Sequence, residues 1–361
     1  MELIAAVLGL LLLALTLWDI FQTVVVPRPT PGRFRIARFV VRGSWSLVRR
    51  VGRGRSAGFR DHLFGVFGPA IAILLLATWM AGLVFGYGLV LFAIRDQIQP
   101  VPDGFGTTVY FAATSVLTLG YGEIVAVGGV ARVLVLVAGA TGLGVVALVV
   151  TFLFSIYGSY QRRELEVVRL QATAGAPPSA VTLLEAFAQL DLRDRLPMFF
   201  VVWQRWGAEV LDSHVAYPVL AFFRSSHDNL SWLSALGTVL DAACLVLTTI
   251  RGVERGDAEL ARRVGSHLVE DISNFGFRSG RPTELDREAF DEACGRLAAA
   301  GYDLEPTDQA WPRFEAARSI YAARLEEMAN YWETPASSWL GKTHELRSAA
   351  HPEPAIVPRG A

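Results

Sequence analysis

Thr118-Leu119-Gly120-Tyr121-Gly122-Glu123 stands between two long apolar runs, Leu63 to Ile94 and Val133 to Tyr160. As a tripeptide Gly-Tyr-Gly is an ordinary surface turn, but here a threonine leads it and uncharged runs of 32 and 28 residues flank it. Gly120 and Gly122 can adopt left-handed backbone angles that a side chain would penalise. The carbonyls of Thr118, Leu119, Gly120 and Tyr121 can then face one axis, with the Thr118 hydroxyl beneath them. A near-copy, Gly86-Tyr87-Gly88, lies inside an apolar run with no threonine before it. That copy reads as close helix packing within a membrane span.

The string resembles the selectivity filter of the pore-loop potassium channel superfamily, in its prokaryotic form with a two-transmembrane pore module. There, rings of backbone carbonyls from four T-V-G-Y-G loops replace an ion's hydration shell. The resemblance covers residues 66–160 in outline, with its specific part at 107–123. It implies that Thr118, Leu119, Gly120, Tyr121 and Gly122 bind potassium, that Glu123, Thr114, Tyr110 and Phe111 support the filter, and that Gly142 or Gly139 is a gating hinge. One chain supplies one wall, so a cyclic homotetramer is implied. Leu143, Val146, Val150 and Phe154 recur at helical spacing and are candidates to line the cavity. Close packing is the alternative reading for each glycine, because three glycines in one helix, at 139, 142 and 144, each cost about 1 kcal/mol against alanine.

This chain departs from the superfamily pattern at several positions. Leu119 replaces valine or isoleucine and is expected to pack behind the filter, Glu123 replaces aspartate, and Leu117 stands where many relatives have a second threonine. Tyr110 and Phe111 replace two tryptophans, and Phe111 has no donor for the Tyr121 hydroxyl. A weakly selective cation channel therefore stays open beside a potassium channel.

Residues 1–26 hold a third apolar segment. Its 24 residues from Leu3 to Val26 span ~36 Å as a helix, enough to cross a bilayer. With no basic leading region and no small-residue cleavage site, it reads as a retained transmembrane helix. Asp19, near its inner end, is expected to snorkel or to pair with an arginine. Residues 27–62 carry ten arginines against one acid, whereas 95–132 carry two against three. The positive-inside rule then puts the first loop and the C-terminus in the cytoplasm, and the N-terminus and filter loop outside. Phe34, Ile36, Phe39, Val40, Trp45, Leu47, Val48 and Val51 alternate with those arginines, a pattern suited to an amphipathic helix on the inner leaflet. Anionic lipid is the sharper partner for it, and a passive topological anchor the plainer role. Lysine occurs once, at Lys342, a skew that suggests a GC-rich bacterial genome and hence an inner-membrane protein.

The expected architecture is an all-α membrane protein. Its pore module occupies 63–160, with an outer helix at 66–94, a pore helix at 104–117, the filter at 118–122 and an inner helix at 133–160. After residue 160 the balance turns acidic, 21 basic against 28 acidic residues, where residues 1–160 hold 12 against 6. Residues 161–350 read as a cytoplasmic all-α domain that gates the pore, with helices near 179–190, 198–212, 231–250, 257–273, 284–299 and 308–332. Residues 351–361, with three prolines, read as a disordered tail.

No phosphate-cradling loop, nucleophile elbow or acid–base pair is present, and adjacent Ser226, His227 and Asp228 cannot form a triad. The chain therefore reads as no enzyme, with no cofactor and no nucleic-acid partner. His214, His227, Asp228, His267, Glu270 and Asp271 are a weak metal candidate without tight ligand spacing. Trp203, Trp206, Phe222, Phe223 and Trp232 read as core or subunit interface, and Cys244 and Cys294 as free thiols. A membrane-anchored helical sensor without conduction is the alternative outside the channel class.

Overall fold

A computed structural model of the chain describes residues 2–26, 35–227, 229–273, 286–335 and 339–341. The expected tail at 351–361 lies outside the described residues. Twelve α-helices are described: α1 Glu2–Ile20, α2 Ile36–Gly52, α3 Ala57–Ala93, α4 Phe105–Val116, α5 Gly129–Ala174, α6 Ala180–Gln189, α7 Leu196–Ala216, α8 Trp232–Thr248, α9 Gly256–Ser273, α10 Arg287–Ala299, α11 Thr307–Ser319 and α12 Ala322–Trp332. Two two-residue strands, β1 Ile98–Gln99 and β2 Val125–Ala126, pair antiparallel. The chain divides into two compact units, Met1–Tyr160 with His214–Phe223, and Gln161–Ser213 with Arg224–Ala361.

Among the described residues three helical stretches are long and apolar enough to cross a membrane: Glu2–Val25, Ala57–Ala93 and Gly129–Ala174. The first ends in a π-helical turn, Phe21–Val25. The outer helix, expected at 66–94, begins at Ala57, and the inner helix, expected at 133–160, runs from Gly129 to Ala174. Hydropathy marked only the apolar part of each. Charged residues such as Arg60 or Glu164 are good helix formers and continue the helix past it.

In the first unit α1 lies against α3 through small residues. A β-carbon on Gly9 would stand 2.7 Å from the Gly86 carbonyl oxygen, and one on Gly82 would stand 2.5 Å from the Thr16 hydroxyl. Gly88 gives the same close approach to Val109 of α4, 2.9 Å from its side chain. The decoy Gly-Tyr-Gly is thus a packing surface, where missing side chains let helix backbones meet.

Asp19 is buried at the end of α1. Its carboxylate accepts the Trp79 indole N–H of α3 at 2.8 Å and the Ala37 amide of α2 at 3.1 Å. Ala37 is among the first α2 amides, which have no partner within their own helix, so Asp19 satisfies it. These hydrogen bonds hold Asp19 in place of the expected snorkelling. The amphipathic helix in the basic loop is α2, and it packs along α3. Ala37, Trp45 and Gly52 are buried, with the Trp45 ring 4.9 Å from Phe67 and 5.3 Å from Phe64. Phe39, Leu47 and Val51 face outward.

The second unit is built around α8, every residue of which from Trp232 to Val246 is buried. A helix apolar all round belongs in a core, and α6, α9, α11 and α12 pack against it. Within that core Asp241 accepts from Arg318 Nε at 2.9 Å and from the Tyr321 hydroxyl at 2.6 Å. The helix expected at 308–332 is two helices, broken where Tyr321 leaves helical geometry at φ −124° and turns its hydroxyl to Asp241. Arg296 forms a two-pronged pair with Glu185, at 2.8 and 2.6 Å.

Candidate functional site

The filter string follows directly on α4. Leu117 N–H donates to the Ala113 carbonyl at 2.9 Å and Thr118 N–H to Ser115 at 3.0 Å, and Leu119 N–H reaches back to Thr114 at 2.8 Å. These bonds fold the chain back on the end of the helix. Gly120 and Gly122 have φ of +56° and +83°, the left-handed conformation read from their identity. Thr118 shares it, at φ +57°, which sequence reasoning missed because threonine carries no such preference. β1 and β2 close the base of the loop, and Gln97, just before β1, ties it to the far side: its carbonyl accepts from Val127 at 2.9 Å and its side chain from Ala131 at 3.3 Å.

Of the expected supports, the Tyr110 hydroxyl donates to Glu123. Phe111 is buried, and its carbonyl accepts from the Thr114 hydroxyl at 2.9 Å. Leu119, expected behind the filter, is 52% exposed in the single chain, and Tyr121 is 67% exposed. A groove of about 560 Å³ runs beside them, with Tyr110, Thr114, Tyr121, Glu123, Arg132 and Leu136 among its lining residues.

Beneath the loop, a β-carbon on Gly142 would stand 1.9 Å from the Val116 carbonyl oxygen, and one on Gly139 would stand 3.4 Å from that of Ser115. Of the two readings of these glycines, packing and a bend, the contact supplies the first. Gly144 faces open space, and α5 is unbroken through all three. Tyr87 of α3 and Thr141 of α5 share a hydrogen bond of 2.9 Å between their hydroxyls. Leu143, Val146, Val150 and Phe154 form one outward row on α5, exposed by 65, 41, 46 and 76%.

Among the described residues no group of three His, Cys, Asp or Glu is placed to hold a metal ion; Asp228 lies outside them. His214 is buried, and His267 instead faces Asp271 one helical turn away at 3.5 Å. The aromatic set divides between the units: Trp203 and Trp206 stack edge-on at 4.7 Å in the second with Trp232, while Phe222 and Phe223 belong to the first.

Residues 73–158 match the family model described as Ion channel. That stretch, from the middle of α3 through the filter string into the lower part of α5, is a pore-loop ion-channel domain, carried by an all-α integral membrane protein. The chain is 22% identical over 242 residues to YdjJ of Bacillus subtilis (strain 168), described as an uncharacterized membrane protein, across 66% of this chain and 68% of that one. No solved structure matches the chain.

Proposed function

We propose that the chain is one subunit of a homotetrameric potassium channel, passing K+ down its gradient through a filter formed by Thr118 to Gly122 of four copies. The observation that carries this reading is the Thr-Leu-Gly-Tyr-Gly string with positive φ at both glycines, set directly after a pore helix inside the Ion channel match. Leu119 and Tyr121 are exposed in the single chain, which leaves both side chains free to pack against neighbouring copies. In the assembled pore the row from Leu143 to Phe154 lines the cavity, and the second unit acts as the gating domain in the cytoplasm of a bacterium. Gly142 and Gly139 are the proposed hinge of α5, and a bend there would have to loosen their packing against the end of α4. Among the described residues of the basic loop Arg38, Arg42, Arg50, Arg53 and Arg55 are exposed, and anionic headgroups are their proposed partners. Weak selectivity is the second reading, favoured by Phe111, which has no donor for Tyr121. Cation flux from liposomes in potassium and sodium gradients, with Gly120→Ala beside the native chain, tests the assignment.

A further inference from the structure

The short helix Pro218–Phe222 and its flanks leave their sequence neighbours. Residues His214–Phe223 pack into the first unit, while the chain on either side of them belongs to the second. The segment points aromatic rings in two directions. Tyr217 meets Phe152 of α5 edge-on at 5.5 Å, and Phe223 meets Tyr157 and Tyr160 of the same helix at 5.8 Å each. Phe222 instead lies between Trp45 of α2 at 5.3 Å and Phe67 of α3 at 5.4 Å. The Phe223 ring fills a notch in α3 that exists because residue 68 is glycine: a β-carbon there would stand 2.9 Å from two ring atoms and 3.2 Å from the Phe222 carbonyl oxygen.

We infer that His214–Phe223 is the coupling wedge of the channel, fixing the lower part of α5 against α2 and α3 so that displacement of this segment changes pore opening. The inference rests on the proposed conducting pore. Three observations carry it. The α5 residues it grips, Phe152, Tyr157 and Tyr160, overlap the end of the row from Leu143 to Phe154 and continue the helix beyond it. The grip consists of interlocked rings, and packed surfaces of this kind shift between discrete arrangements and do not deform smoothly. Finally, the segment is continuous in sequence with the second unit at both ends, on one side through α7, which runs unbroken from Leu196 to Ala216.

The test compares Phe223→Ala, which empties the notch, and Gly68→Ala, which crowds it, with the native chain. K+ flux from liposomes is read together with the K+/Na+ flux ratio. In parallel, the reaction rate of a maleimide with the thiol introduced by Phe154→Cys reports the surroundings of α5 without requiring conduction. Cys244 and Cys294 are buried and leave that signal clear. Both variants are expected to change flux in the same direction by about fivefold or more, the low end of measured coupling between sites, with the K+/Na+ ratio unchanged and the thiol rate shifted. Folded variants with native flux overturn the wedge, and so does altered flux with an unaltered thiol rate. If the native chain carries no flux, the conduction reading fails on its own, and the thiol rate decides whether the wedge positions α5: a shift supports it and an unchanged rate overturns it.

Discussion

Gly142 of α5 lies directly against Val116, the last residue of α4, so closely that a β-carbon on Gly142 would overlap the Val116 carbonyl oxygen. Gly142→Ala must push the inner helix away from the filter loop. Overpacking of this kind costs about 1–3 kcal/mol, and the thermal midpoint of the detergent-solubilised protein is expected to fall. Gly144→Ala, two residues on and facing open space, is the internal control. It is expected to be neutral or slightly stabilising, since alanine is the better helix former.

Trp79→Phe removes the indole donor from Asp19 and keeps most of the ring volume. A buried carboxylate that loses a hydrogen bond costs about 1–3 kcal/mol. Thermal unfolding followed by tryptophan fluorescence or circular dichroism is expected to show a loss of that size. An unchanged midpoint would mean that the Ala37 amide alone satisfies Asp19.

In the second unit, Arg318→Met strands Asp241, which is fully buried. Breaking a buried ion pair from one side costs about 3–5 kcal/mol. Adding Asp241→Asn is expected to return part of the loss, because the uncompensated charge is then gone. Urea denaturation of the full chain measures both variants.

Burial pushes the Cys244 thiol up to about 12 and the Cys294 thiol up to about 11. Both groups stay protonated well above neutral pH, and the thiolate is the reactive form. Neither is expected to react with a disulfide reagent near pH 8 until the protein unfolds, when two thiols per chain should appear.

How much of this the sequence revealed follows the range of the interactions. The filter string is local: two glycines at fixed spacing specify their own backbone, and φ at Gly120 and Gly122 follows. The three apolar stretches were legible for the same reason, as runs of composition. Contacts across distance were not. Asp19 finds Trp79 sixty residues away, and nothing in either neighbourhood announces the pair. Gly139, Gly142 and Gly144 look alike in a string, yet only the path of α4 shows which of them faces Val116. Tyr321 sits in an uninterrupted helical pattern, and the break there is visible only once Asp241 lies opposite. In the sequence the segment His214–Phe223 is continuous with the domain around it, because composition does not record that these ten residues belong to the other unit.

Cation flux through reconstituted protein addresses the central claim most directly. Liposomes loaded with potassium or with sodium, carrying the native chain, are expected to release potassium at least about ten times faster, and Gly120→Ala is expected to abolish that preference, because alanine is strained at φ +56°. Equal release of the two ions, or potassium release that survives Gly120→Ala unchanged, would contradict the filter assignment.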